Sequence, residues 1–213
     1  MLEILMTKNI SIIDYDIGNI LSVKRSVEKL GFSALVTNEK SKILDSDKII
    51  LPGVGAFKNG MNLLKKHNLV EVLQEAAQRK KHILGICLGM QLFFNESFEF
   101  GHSEGLKLIK GKVEKLPSED NGEALKIPNI GWNELIIKKK DKILSNLKDK
   151  NSTYFVHSFM VSPEDKSVIT SVYKFGSKEV VASVNQDNIY GCQFHPEKSG
   201  KVGLKILNNF ILS

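Results

Sequence analysis

Three residues of this chain have types and surroundings suited to nucleophilic hydrolysis: Cys87, His195 and Glu197. Cys87 stands in Gly85-Ile86-Cys87-Leu88-Gly89, after the apolar run His82–Ile86 and before residues 88–95, which read as helix. A G-x-C-x-G segment between strand and helix is the context of a nucleophile elbow. The reversal at Cys87 strains the backbone, and glycines on either side give the turn room to close. The thiol is then lifted off the sheet edge to a helix N-terminus, where the dipole favours the reactive thiolate. The Leu88 N–H would point at the same spot, ready to stabilise an oxyanion. On its own the segment fits a buried small cysteine in an ordinary strand-to-helix turn equally well.

His195 and Glu197 supply a base and its orienter. Residues two apart on an extended chain face the same way, and Pro196 fixes the backbone between them. The Glu197 carboxylate can take the hydrogen bond from one imidazole nitrogen, leaving the other for the Cys87 proton. A surface His-Pro-Glu turn is common in isolation and improbable once paired with the elbow. Cys192 lies in a strand interior without an elbow and reads as a packed core cysteine. His67, His82, His102 and His157 lack triad-like spacing, and solvated or structural roles are their default.

Strand–helix alternation must position these groups. Ile10–Ile13, Ala34–Val36, Lys48–Leu51 (cut off by Pro52-Gly53) and His82–Ile86 read as strands, and 19–30, 57–66 and 69–80 as helices. From about residue 105 the texture becomes short strand-like runs: Leu106–Ile109, Lys112–Leu116, Trp132–Ile137, Thr153–Val156, Val168–Tyr173, Val180–Val184 and Ile189–Phe194. Helix returns over 200–212, and Ser118–Glu123 is the best loop candidate. The expected fold is α/β: a central, mostly parallel sheet flanked by helices, with an antiparallel extension. One domain is expected over 1–213, with 1–8 as a loose N-terminal extension and Met6 as an alternative start to Met1.

Composition bounds the rest. A chain of 213 residues, 42% hydrophobic and 25% charged, can bury a full core without disulfides or metals. Two cysteines make neither a disulfide framework nor a zinc cluster, and they suit a reducing, cytoplasmic setting. No segment approaches the ~18 apolar residues of a membrane span, and no signal peptide is evident. The net charge of +6 comes from scattered lysines without interleaved aromatics. That pattern reads as a solvated basic surface and not as a nucleic-acid site.

Gly85, Cys87, Gly89 and Gln91, followed far downstream by His195-Pro196-Glu197, resemble the class I glutamine amidotransferases. Further segments are similar to the glutaminase subunits of imidazole glycerol phosphate synthase: Asp14–Asn19, Pro52–Phe57, Pro128–Asn133, Phe155–Phe159 and His195–Ser199. The match runs essentially end to end. It implies hydrolysis of L-glutamine to L-glutamate and ammonia through a Cys87 thioester, with no metal or organic cofactor. By resemblance the Val54 N–H joins Leu88 as oxyanion donor, although Pro52–Gly55 also satisfies a plain turn. The resemblance further implies glutamine contacts from Gly53, Gly55, Gln91, Glu99 and the backbone around His157, Ser158 and Phe159. A surface role for Glu99 stands equally open. The implied partner is a (β/α)8-barrel cyclase that receives the ammonia, met through Asn19, Trp132 and Lys198; Trp132 is as readily a core filler.

One departure is visible. Such subunits carry His-Met where this chain has Asn129-Ile130. The change touches partner contacts and leaves room for a paralogue feeding ammonia to another synthetase, for instance one that amidates a surface sugar. A peptidase or γ-glutamyl hydrolase on the same elbow, and a non-catalytic scaffold engaging nucleic acid, are the rival classes.

Overall fold

Apolar side chains alternating along short strands divide the core between the two faces of one sheet. The computed structural model describes residues 8–147 and 151–213. The loose extension expected over 1–8 lies, but for Lys8, outside the described residues, as does the question of Met1 against Met6. The chain opens with β1 (Ile10–Ile13), α1 (Ile20–Lys29), β2 (Ala34–Thr37), α2 (Lys40–Asp45), β3 (Lys48–Gly53), α3 (Phe57–Lys66), α4 (Val70–Gln78) and β4 (His82–Cys87). A single turn, α5 (Leu88–Gln91), leads to β5 (Phe94–Ser97), β6 (Ser103–Glu104), β7 (Ile109–Lys115), β8 (Glu119–Asp120) and β9 (Glu123–Ala124). Then come β10 (Asn129–Glu134), β11 (Ile136–Ile137), β12 (Ser152–His157), β13 (Phe159–Pro163), β14 (Ile169–Phe175), β15 (Lys178–Gln186), β16 (Ile189–Cys192) and finally α6 (Gly200–Leu212).

The main sheet has eight strands in the order β11-β14-β15-β16-β4-β3-β1-β2. From β2 to β16 neighbours run parallel; β15, β14 and β11 continue the sheet antiparallel. This is the expected mostly parallel sheet with an antiparallel extension. Ile13, Ile49, Leu51 and Ile83 pack on one face with Ile43 of α2, Met61 of α3 and Leu73 of α4. Ile12, Ile50, Leu84 and Ile86 face the other way, against Val23 and Val27 of α1 and Ile206 and Phe210 of α6. Period-two side-chain direction makes the two layers. Beside this sheet lie the four-stranded β13-β7-β5-β6, the pair β10-β12 and the small hairpin β8-β9, the last sitting where a plain loop was expected.

Three local expectations fail for physical reasons. β3 does not stop before Pro52-Gly53 but pairs with β4 through Gly53. Its contact with β1 ends at Ile50, so Pro52 sits where β3 has one neighbour and its missing N–H breaks no ladder. The helix expected over 88–95 is one turn long, because Phe94 onwards pairs with β7 and Leu92 and Phe93 give their carbonyls to Leu106, Leu108 and Ile109. Those same bonds make Leu106–Leu108 irregular, so β7 begins only at Ile109. α2 was invisible because six residues are too few to show a period.

Candidate active site

Cys87 ends β4 with φ 55° and ψ −110°, a backbone conformation that costs a non-glycine residue on the order of 1–3 kcal/mol. The packing of α5 holds it there. A Cβ on Gly89 would lie 1.9 Å from the Leu51 carbonyl oxygen, and one on Gly85 would lie 2.5 Å from the Phe93 ring and 2.6 Å from the Met90 nitrogen. Gly53, in register with Cys87, would meet the Tyr15 hydroxyl at 2.6 Å and the Gly89 nitrogen at 2.9 Å. These glycines let backbone press on backbone. Tyr15, fully buried, donates its hydroxyl to the Pro52 carbonyl at 2.7 Å and steadies the end of β3. With α5 so short, its dipole is a lesser influence on the thiol than the expected longer helix.

His195 follows β16, the parallel neighbour of β4. Its Nδ1 lies 2.8 Å from Glu197 Oε1, and both side chains are buried. Among the described residues its buried Nε2 has no hydrogen-bond partner, and neither has Glu197 Oε2. Burial lowers the His195 pKa, but the Cys87 sulfur and the Glu197 carboxylate outweigh it and raise the value to about 10. The Cys87 sulfur rests 3.9 Å from the Val156 carbonyl. Cys192 is fully buried, 3.7 Å from the Gly85 carbonyl, and burial pushes its thiol well up.

A cavity of about 510 Å³ opens at the carboxyl ends of β3 and β4, where ligands bind in open α/β sheets. Cys87, Leu88, Gln91, His195, Val54, Gly55, Glu99, His157, Ser158 and Phe159 all line it, with Ala56, Phe100 and Val156. Gly53 does not line it: the side its missing Cβ would occupy faces Tyr15, Gly89 and Leu88, so its glycine serves packing and not a ligand. Gly55 has φ +91°, which requires its glycine. Glu99 is 9% exposed, which removes the surface alternative; its Oε2 accepts from the Phe57 N–H at 2.7 Å at the start of α3. Burial raises its pKa and that bond opposes the rise. The His157 ring is occupied on both sides, by the Phe159 carbonyl at 2.8 Å and the Tyr173 hydroxyl at 2.9 Å. Only its backbone is left for a ligand.

Asn19, Trp132 and Lys198 lie outside the cavity. Trp132 is 57% exposed and so is no core filler. Its ring stands edge-on to Tyr154, and Lys198 Nζ is 6.0 Å from the same Tyr154 ring. Asn19 accepts from the Ser22 hydroxyl at 2.8 Å, on a helix that packs against the Pro196–Lys198 turn. Among the described residues no group of three His, Cys, Asp or Glu side chains is close enough to hold a metal ion, and no helix is long and apolar enough to cross a membrane. One polar residue of the site was missed in the sequence. Gln193 is fully buried and its Nε2 reaches Cys87 Sγ at 3.6 Å. The available signal was an amide inside the otherwise apolar run Ile189–Phe194.

A family model described as glutamine amidotransferase class-I matches residues 11–213, and the chain belongs to that class of enzymes. Within the class it falls with the proteins named imidazole glycerol phosphate synthase subunit HisH. The one from Syntrophotalea carbinolica is 45% identical over 203 residues, covering 94% of this chain and 98% of that protein. The one from Caldanaerobacter subterraneus subsp. tengcongensis is 44% identical over 201 residues, covering 94% and 96%. Among solved structures, PurLQS from Thermotoga maritima has a chain with TM-score 0.72 at 21% identity, covering 97% of this chain and 99% of that one. At that identity the likeness is one of fold.

Two outcomes follow from this geometry. Gly89→Ala forces a methyl group into a backbone carbonyl with no flexible end to yield, so stability should fall by at least about 2 kcal/mol in urea titrations. His157 is held neutral: burial lowers its pKa to about 4 from 6.5, the Phe159 bond opposing and the His195 charge adding. A depressed folded value gives stability that is present above about 6.5 and lost as pH falls towards 4. His82, also lowered to about 4 by burial and nearby lysines, acts with the same sign. The urea midpoint should therefore drop across that window, and the drop should be shallower in His157→Gln.

Proposed function

We propose that Cys87, His195 and Glu197 hydrolyse the side-chain amide of L-glutamine in this cavity. The observation that carries the reading is a buried imidazole bonded through Nδ1 to Glu197, with Nε2 unpartnered beside a thiol on a strained turn. His195 takes the Cys87 proton at Nε2, and the sulfur attacks the amide carbon. The oxygen that becomes negative is received by the N–H groups of Leu88 and Val54. His195 returns the proton to the nitrogen, the C–N bond breaks, and ammonia leaves a thioester on Cys87. Water then gives a proton to His195 and attacks the thioester. Collapse releases L-glutamate and restores the thiol, with Glu197 holding the imidazole throughout.

The substrate contacts follow from which atoms are left over. Both Gln91 amide hydrogens are engaged, at 3.0 Å to the Phe159 carbonyl and 2.9 Å to Gln193 Oε1. Its carbonyl oxygen remains to accept from the substrate. Glu99 keeps Oε1 for the α-ammonium, and the backbone of His157, Ser158 and Phe159 serves the α-carboxylate. Gly55 lets the chain just past β3 approach the ligand closely. No cofactor is required.

The ammonia passes to a (β/α)8-barrel cyclase subunit that forms imidazole glycerol phosphate, in a cytoplasmic heterodimer for which the whole chain 1–213 serves as one amidotransferase domain. Support comes from β10, where Ile130 and Trp132 are 60% and 57% exposed. That strand pairs with β12, whose Val156 lies against the Cys87 sulfur. An apolar docking face thus stands one strand away from the nucleophile. Asn19 and Lys198 join Trp132 at this interface. Ile130 itself favours a second reading, a synthetase of another pathway such as one amidating a surface sugar, since it replaces the residue that cyclase-bound subunits carry on that face.

Cys87→Ala should keep its fold by circular dichroism and lose ammonia production by several orders of magnitude, on the order of 10⁶; retained turnover sinks the assignment. Trp132→Ala should weaken binding of the barrel cyclase about tenfold or more in calorimetry, as loss of an aromatic anchor does. If the cyclase neither binds the chain nor stimulates its glutaminase while a sugar-amidating synthetase does, the second reading replaces the first.

A further inference from the structure

A chain of buried amides runs behind the nucleophile, and its donor directions can be worked out from one end. The Phe159 carbonyl can only accept, and it takes a hydrogen from Gln91 at 3.0 Å and stands 2.8 Å from His157 Nδ1. The Gln91 atom there is therefore its NH2. Its second hydrogen goes to Gln193 at 2.9 Å, so the Gln193 atom it meets must be the acceptor Oε1. Turning the Gln193 amide over would set NH2 against NH2. The NH2 of Gln193 is thereby aimed at Cys87 Sγ, 3.6 Å away. Gln193 is completely buried and contributes nothing to the cavity lining, so it meets the sulfur from the protein side. Substrate entering the cavity does not displace it.

We propose that Gln193 is a further catalytic residue, whose side-chain N–H donates to the Cys87 sulfur and stabilises the thiolate before attack and on leaving the thioester. The inference rests on Cys87 being the nucleophile. Opposite charges and dipoles decide its direction. The Val156 carbonyl also borders the sulfur, and a carbonyl oxygen facing a thiolate is repulsive; the amide N–H is the compensating donor. Gln91 then has two tasks, presenting its oxygen to glutamine and locking the Gln193 amide in the donating orientation.

Gln193→Met removes the donor at similar volume, and Gln193→Glu keeps an acceptor for Gln91 while setting an oxygen against the sulfur. The measurements are the rate of Cys87 alkylation by iodoacetamide across pH, followed by mass spectrometry, and the steady-state kinetics of glutamine hydrolysis. In both variants alkylation at neutral pH should slow about tenfold, the ratio one charge-assisted hydrogen bond supports. The midpoint of the pH profile should move to higher pH. kcat should fall by at least the same factor with KM changed within about twofold, whereas a purely structural role would leave the pH profile in place. In the unmutated chain, the Gln193 side-chain amide resonances should titrate with the alkylation midpoint. A folded variant with the original profile, or a flat amide titration, overturns the inference. Failure of Cys87 to be alkylated in the unmutated chain, or turnover by Cys87→Ala, overturns the nucleophile assignment instead.

Discussion

The site depends on one contact, the seating of the α5 turn on the ends of β3 and β4. With Gly89 against the Leu51 carbonyl, Gly85 under Phe93 and Met90, and Gly53 against the Gly89 nitrogen, there is no space for any side chain between these backbones. The strain at Cys87 persists because this packing over-determines the turn. The rest of the cavity follows from it: Cys87 is brought to its wall, Leu88 lines it together with Val54, and Gln91 is carried round to face Phe159.

Around that contact the polar groups are arranged with few spare atoms. Glu197 engages one imidazole nitrogen, Tyr173 and Phe159 engage both nitrogens of His157, and Gln91 spends both hydrogens on the protein. Among the buried side-chain atoms of the described residues without a hydrogen bond are His195 Nε2 and Glu197 Oε2, beside Asn95, Asn129 and Thr153 away from the cavity. Buried polar groups are costly unless bonded, and with Nδ1 on Glu197 the Nε2 of His195 has only the Cys87 sulfur to answer it. The two histidines differ because of neighbours and not depth. Burial lowers both; at His195 the Cys87 sulfur and the Glu197 carboxylate overcome it, and at His157 no anion does.

Residue type and spacings of one or two residues were enough to single out Cys87, His195 and Glu197, and the structure brings Cys87 and His195 to one cavity with Glu197 on the imidazole. The parallel sheet was legible because its strands are apolar on both faces and alternate with amphipathic helices. What stayed hidden depends on long-range pairing. Leu92, Phe93 and Phe94 continue a helical pattern, yet bonds to Leu106–Ile109 pull them out of it. Pro52 looked like a strand end because the sequence does not reveal that β1 stops two residues earlier. Gln193 was passed over because a single amide in an apolar run shows its meaning only when Gln91, from a segment far away, arrives to bond it.

Cys87 ends β4 and His195 follows β16, two strands paired in parallel with Cys192 opposite Ile86. Neighbouring strands are held roughly 4.8 Å apart by their hydrogen bonds. His195 itself lies three residues past the end of β16, and its N–H is held by the Tyr154 carbonyl of β12 at 2.9 Å, so a third strand fixes the imidazole relative to the thiol. Loop insertions and surface drift leave such a framework unchanged. It gives way only to a slip of register, which would turn every side chain of β16 to the wrong face at once.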